Sequence, residues 1–70
     1  MAKFDEIPAE YLRPPYLFRR GLHTVQVERA EITHGGPIKV WVRRIINAAP
    51  AGAVQELSYE YGEILRRVVH

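Results

Sequence analysis

From Pro37 to Arg43 the chain reads Pro-Ile-Lys-Val-Trp-Val-Arg, and no other run constrains the fold as strongly. Successive side chains of an extended strand point to opposite faces. Ile38, Val40 and Val42 therefore share one face, and Lys39, Trp41 and Arg43 the other. Residues 38–46 are expected to be a strand, and a strand needs a hydrogen-bonded neighbour. The segment 22–33 offers one, because Val25 and Val27 alternate with Thr24, Gln26 and Glu28. Ala30 and Ile32 then fall on the opposite parity. A β-bulge near Glu28-Arg29 restores the phase, since one extra residue flips the faces; a strand that ends earlier also accounts for it. Between the two runs, Thr33-His34-Gly35-Gly36-Pro37 has turn chemistry. Glycine supplies positive φ, and Pro37, with no N–H, suits a strand edge. The expectation is an antiparallel hairpin closed by a turn of about five residues.

The flanking segments are read from their breakers and periods. Residues 1–21 form an arm. Pro8 suits the start of one helical turn through Ala9-Glu10-Tyr11-Leu12. Pro14-Pro15 ends that turn, because a residue before proline is pushed out of the helical region. Tyr16-Leu17-Phe18 then runs extended into Arg19-Arg20-Gly21. The arm is too apolar for a free tail and must lie on its own core or on a neighbouring subunit. Downstream, 47–52 reads as a connector. Val54, Leu57, Tyr61, Ile64, Leu65 and Val68 make a single helical stripe. Glu56 near its start and Arg66, Arg67 and His70 near its end suit the helix dipole, and Glu63 and Arg67 are spaced as a favourable i,i+4 pair. Against the helix stand Gly62 and the alternation of Leu57, Tyr59 and Tyr61, which fit a second hairpin. The expected fold is α+β: the 1–21 arm, then a 22–70 unit of hairpin and C-terminal helix packed on one sheet face. The alternative is a small all-β barrel. The expected core is Val25, Val27, Ile38, Val40, Val42, Val54, Leu57, Tyr61, Ile64, Leu65 and Val68.

Seventy residues are one small domain or part of one. A chain of this size buries only about 60% of the surface that its unfolded form exposes, so domains this small often use a disulfide, a metal or a partner chain. There is no cysteine. Disulfides and thiolate metal sites are thereby excluded, and a reducing compartment fits. The opening Met1-Ala2-Lys3-Phe4-Asp5-Glu6 lacks the apolar region of a secretory signal, and no apolar run approaches the ~18 residues of a membrane span. A cytoplasmic protein is expected. The net charge of +2 is a weak bias that neither demands nor forbids an acidic partner.

The residues available for catalysis are few. Ser58 is the only serine and Asp5 the only aspartate, and nothing in their spacing suggests a nucleophile with a base and an orienting group. His23, His34 and His70 show no paired metal-ligand spacing. Gly35-Gly36 is followed by neither the Lys-Ser/Thr nor the helix of a phosphate loop. No enzyme, cofactor or metal is expected. Two binding functions remain. The first is a non-catalytic interaction or assembly module, homo-oligomeric through the sheet edge and the arm, with Tyr11, Leu12, Tyr16, Leu17 and Phe18 as interface residues. The second is nucleic-acid binding through Lys39, Trp41 and Arg43 with the following Arg44, an aromatic flanked by cations on a sheet face.

Overall fold

The computed structural model describes residues 3–69. In chain order these form β1 (Lys3–Pro8), a 3-10 turn (Ala9–Tyr11), β2 (Leu17–Arg20), β3 (His23–Ile32), β4 (Ile38–Ile46), β5 (Ala49–Tyr59) and β6 (Ile64–Val69). All six strands belong to one antiparallel sheet in the order β1-β6-β2-β3-β4-β5.

The hairpin expected from the alternating runs is β3–β4, with residues 33–37 as its turn. Its bulge falls where the parity slips. Val27 faces Val42 and Arg29 faces Trp41, which leaves Glu28 as the extra residue. Beyond it Ala30 pairs with Val40 and Ile32 with Ile38, so the apolar residues of both halves of β3 return to one face.

Among the described residues the C-terminal helix is absent: residues 53–69 carry most of β5 and all of β6 instead, so the α+β assignment is corrected and the all-β alternative describes the chain. Two local features explain the misreading. Asn47 and Ala48, at φ 52° and 64°, form a two-residue turn between Ile46 and Ala49, which pair directly. Positive φ at both positions is the geometry that joins two strands tightly, usually with glycine second. Gly62, at φ 81°, turns the chain between β5 and β6. On the resulting strands the supposed helical stripe divides. Leu57 is buried and Leu65 packs on the core, whereas Val54, Tyr61 and Ile64 are exposed. Arg67 pairs with Asp5 on β1, in place of the expected i,i+4 partner Glu63.

The core lies on the concave face of the sheet. It comprises Ile7, Ala9, Leu12, Phe18, Val25, Val27, Ile38, Val40, Val42 and Leu57, with Tyr16, Ala30, Tyr59 and Leu65 packed against it. Four of its buried members come from the segment read as an arm, which therefore covers its own chain. The sheet coils enough to bring non-adjacent strands together: the Phe18 and Tyr59 rings, from β2 and β5, meet edge to face at 6.2 Å. One twisted layer thus encloses its own apolar face as a barrel does. Two hydrogen bonds tie the N-terminal turn to the β5–β6 connection, from Ala9 N to Glu63 O at 2.9 Å and from Gly62 N to Glu10 Oε1 at 2.8 Å.

Candidate functional site

Register determines what the convex face displays. Along one row Glu6 of β1 faces Arg66 of β6, which faces Arg19 of β2, which faces Thr24 of β3. Along the next, Phe4 faces Val68, Val68 faces Leu17, Leu17 faces Gln26 and Gln26 faces Arg43. Further along β4, Trp41 stands between Arg29 and Glu56, and Lys39 between Glu31 and Ser58.

Lys39, Trp41 and Arg43 do share this face, and Trp41 is half-buried. Arg44 has the opposite parity and pairs with the inward-facing Val25, so it lies on the other face. The Trp41 ring is covered by the Arg29 guanidinium, 4.7 Å from the ring centroid. Arg29 is itself held by Glu31 at 2.9 Å. Arg43 Nε lies 3.4 Å from Glu28 Oε1, an ion-pair distance without hydrogen-bond geometry, so this buried N–H has no hydrogen-bond partner. Glu28, Glu31 and Glu56 therefore stand among the cations of this face.

Of the interface candidates in the arm, Leu12 and Phe18 are buried in the core, Tyr16 and Leu17 are half-buried, and Tyr11 is exposed. Tyr16 has two guanidinium neighbours, Arg67 at 4.9 Å and Arg13 at 5.5 Å from its ring centroid. Arg67 also forms a two-point contact with Asp5, with Nε donating to Oδ1 at 2.9 Å. These hydrogen bonds hold the Asp5 carboxyl below its usual pKa and raise that of the Arg67 guanidinium. Burial pushes the Tyr59 hydroxyl up, opposed by the neighbouring Arg20. A tyrosine shifted upward stays protonated at neutral pH and is no base there.

Sequence reasoning misplaced one feature of the surface and missed another. The first is the sheet edge, expected on strand 22–33 or 38–46, both of which are internal as β3 and β4. β1 and β5 each have a strand neighbour on one side only. The β1 edge is blunted by Lys3, Asp5, Glu6 and Pro8, the devices by which native edges resist pairing. The β5 edge has two parts. Between Ala51, which faces Arg44, and Gln55, which faces Val42, a wide bulge carries Gly52, Ala53 and Val54. From Gln55 to Tyr59 the register is regular and Glu56 is the only charged residue. The second is a groove of about 580 Å³ lined by residues that include Pro15, Leu17, Leu22, Ile45, Pro50 and Val68. Sequence reasoning named some of its residues for other roles, Leu17 in the arm and Val68 in the expected core, but could not bring them together, because its lining comes from five strands and three connections.

Among the described residues no cluster of three or more His, Cys, Asp or Glu could hold a metal ion, and no helix is long and apolar enough to cross a membrane. No protein family, curated protein or solved structure matches the chain. The geometry of the two surface features therefore carries the functional reading.

Proposed function

We propose that the protein is a non-catalytic assembly module that pairs with a second copy of itself along β5. The observation behind this reading is the regular, nearly uncharged edge Gln55–Tyr59, in contrast to the heavily protected β1 edge on the opposite side of the sheet. An unpaired edge presents a row of free backbone N–H and C=O groups to another strand. Five residues is close to the usual strand length, enough for one antiparallel pairing. A two-fold axis through Leu57 sets Glu56 of one copy opposite Ser58 of the other, a pairing of carboxylate and hydroxyl that occurs twice by symmetry. The arm supports assembly indirectly: Leu12 and Phe18 complete the core and so hold the sheet in the form that presents this edge.

Ser58→Glu tests the pairing. Within one chain Ser58 faces Lys39, so a glutamate there gains an opposite charge and the fold is retained. Across the two-fold it meets Glu56 twice. Like charges directly opposite cost about 0.2–1 kcal/mol each, so two such pairs weaken the dimer by about twofold to about thirtyfold. Light scattering over a concentration series should find a native dimer and a variant displaced toward monomer. The double change Glu56→Lys with Ser58→Glu restores opposite charges and should restore the dimer. A native chain that is folded and monomeric at every concentration refutes the proposal.

Nucleic-acid binding through Lys39, Trp41 and Arg43 is the second reading. Its supporting observation is that the three share one accessible face. Against it stand Arg29 over the ring and the three nearby carboxylates, which reduce the positive potential that phosphates need. Oligonucleotide binding that falls steeply with salt and quenches Trp41 would favour it over assembly.

A further inference from the structure

The convex face carries an arginine pair whose placement calls for an anion. Arg19 and Arg66 are direct cross-strand partners. Like charges in that position repel, and among the described residues neither forms an ion pair. Glu6 faces Arg66 from the other side, yet Arg66 lies over the Phe4 ring, 5.5 Å from its centroid. The other arginines of this face are occupied, Arg29 by Glu31 and Arg43 by Glu28. The repulsion is therefore confined to one place.

That place lies one residue pair from the groove, whose lining includes neither arginine. Arg19 pairs with Thr24, which lines it, and Leu17 and Val68 of the lining form the next row beside Arg19 and Arg66. Apolar side chains from β2, β4, β5 and β6 converge here with the exposed Leu22 of the β2–β3 turn. About 580 Å³ lies within the usual size range of ligand sites and accommodates a few side chains, not a folded domain. Thr24, Gln26 and His23 supply side-chain hydrogen-bonding groups.

We propose that this groove binds an extended peptide segment of a partner protein, one that carries an acidic side chain next to an apolar one. The apolar side chain fills the space between Leu17, Ile45 and Val68. The carboxylate meets Arg19 and Arg66, whose planar guanidinium groups accept such an anion in two-point geometry. Charge complementarity selects the occupant: two cations with no ion-pair partner among the described residues, beside an apolar cleft, match a short acidic-apolar segment, whereas a nucleic-acid strand needs a longer basic track. The groove includes Pro50 at the start of β5 but none of the Gln55–Tyr59 stretch, and it does not depend on pairing there.

The test uses the full chain, immobilised and exposed to a random short-peptide display library, with the strongest binders resynthesised for titration. Selected peptides should share an acidic residue adjacent to an apolar one. Their amide shifts should map to Leu17, Thr24, Gln26 and Val68. Arg19→Gln or Arg66→Gln should weaken binding about tenfold each, the usual loss for one charge-assisted contact. Arg44→Gln, on the other face, should leave it unchanged. Ser58→Glu should leave it unchanged too, which separates this site from the β5 pairing. A library that yields no binder, or binders indifferent to both arginine changes, overturns the proposal. So does a dimer that dissociates in Arg19→Gln but not in Ser58→Glu, since the occupant would then be a second copy of this chain.

Discussion

Ala48→Gly should stabilise the protein, although it removes a methyl group. Ala48 sits at φ 64° in the turn that joins β4 and β5. For an L-residue this left-handed region brings Cβ against the following carbonyl and costs about 1–2 kcal/mol. Glycine escapes that cost but loses about 0.5–1 kcal/mol more conformational entropy on folding. The difference favours glycine by about 0.5–1 kcal/mol. The methyl group has little packing to lose, because Ala48 is exposed. For a domain of this size 1 kcal/mol moves Tm by about 4–8 °C, so a rise of about 2–8 °C is expected. Circular dichroism melts at one fixed protein concentration measure it, since self-association makes Tm concentration-dependent. Asn47→Ala supplies the opposite sign, because asparagine tolerates positive φ better than alanine does. An unchanged or lowered Tm for Ala48→Gly would refute the two-residue turn and with it the register of β5.

Two further perturbations address the core and the acid limit of stability. Phe18 is fully buried and meets Tyr59 across the interior, so Phe18→Ala should cost about 3–5 kcal/mol. That is a large part of the stability of any small domain, and urea titration should show the cooperative transition largely lost, while Phe18→Leu keeps one. Asp5 has its pKa depressed in the fold by Arg67. Its contribution is therefore present above the unfolded aspartate value and is lost as pH falls through the folded one. Native protein should exceed Asp5→Asn in Tm at neutral pH, and the gap should close in acid. A gap that is constant with pH would refute the assigned ion pair.

The hairpin was legible in the sequence because two period-two runs flank a glycine turn, and even its bulge was visible as a slip of parity between Val27 and Ala30. The second half misled for a physical reason. Val54, Leu57, Ile64 and Val68 satisfy a helical stripe whether or not a helix forms, and the turn that forbids one is Asn47-Ala48. Alanine stands there in place of the glycine that would have signalled a hairpin. The apolar character of the arm correctly implied a covering surface. That its own strands provide it depends on β6 entering between β1 and β2, which no local pattern encodes. At the candidate surfaces, the shared face of Lys39, Trp41 and Arg43 followed from alternation alone. The masking of Trp41 by Arg29 depends on the bulge, and the confrontation of Arg19 with Arg66 on pairing between distant strands.

The sheet order has a kinetic consequence. β6 lies between β1 and β2, so two of its six strands can join the rest only after segments from opposite ends of the described chain have met. Lys3 pairs with Val69 and Leu17 with Val68. The β2–β5 meander can form from neighbouring segments, but without β6 its concave face has no closing side. The entropy of those long closures is spent before their contacts form. Folding should therefore be slow for so small a chain, in the millisecond-to-second range of non-local β proteins. The meander should form early, with the docking of β1 and β6 limiting the rate.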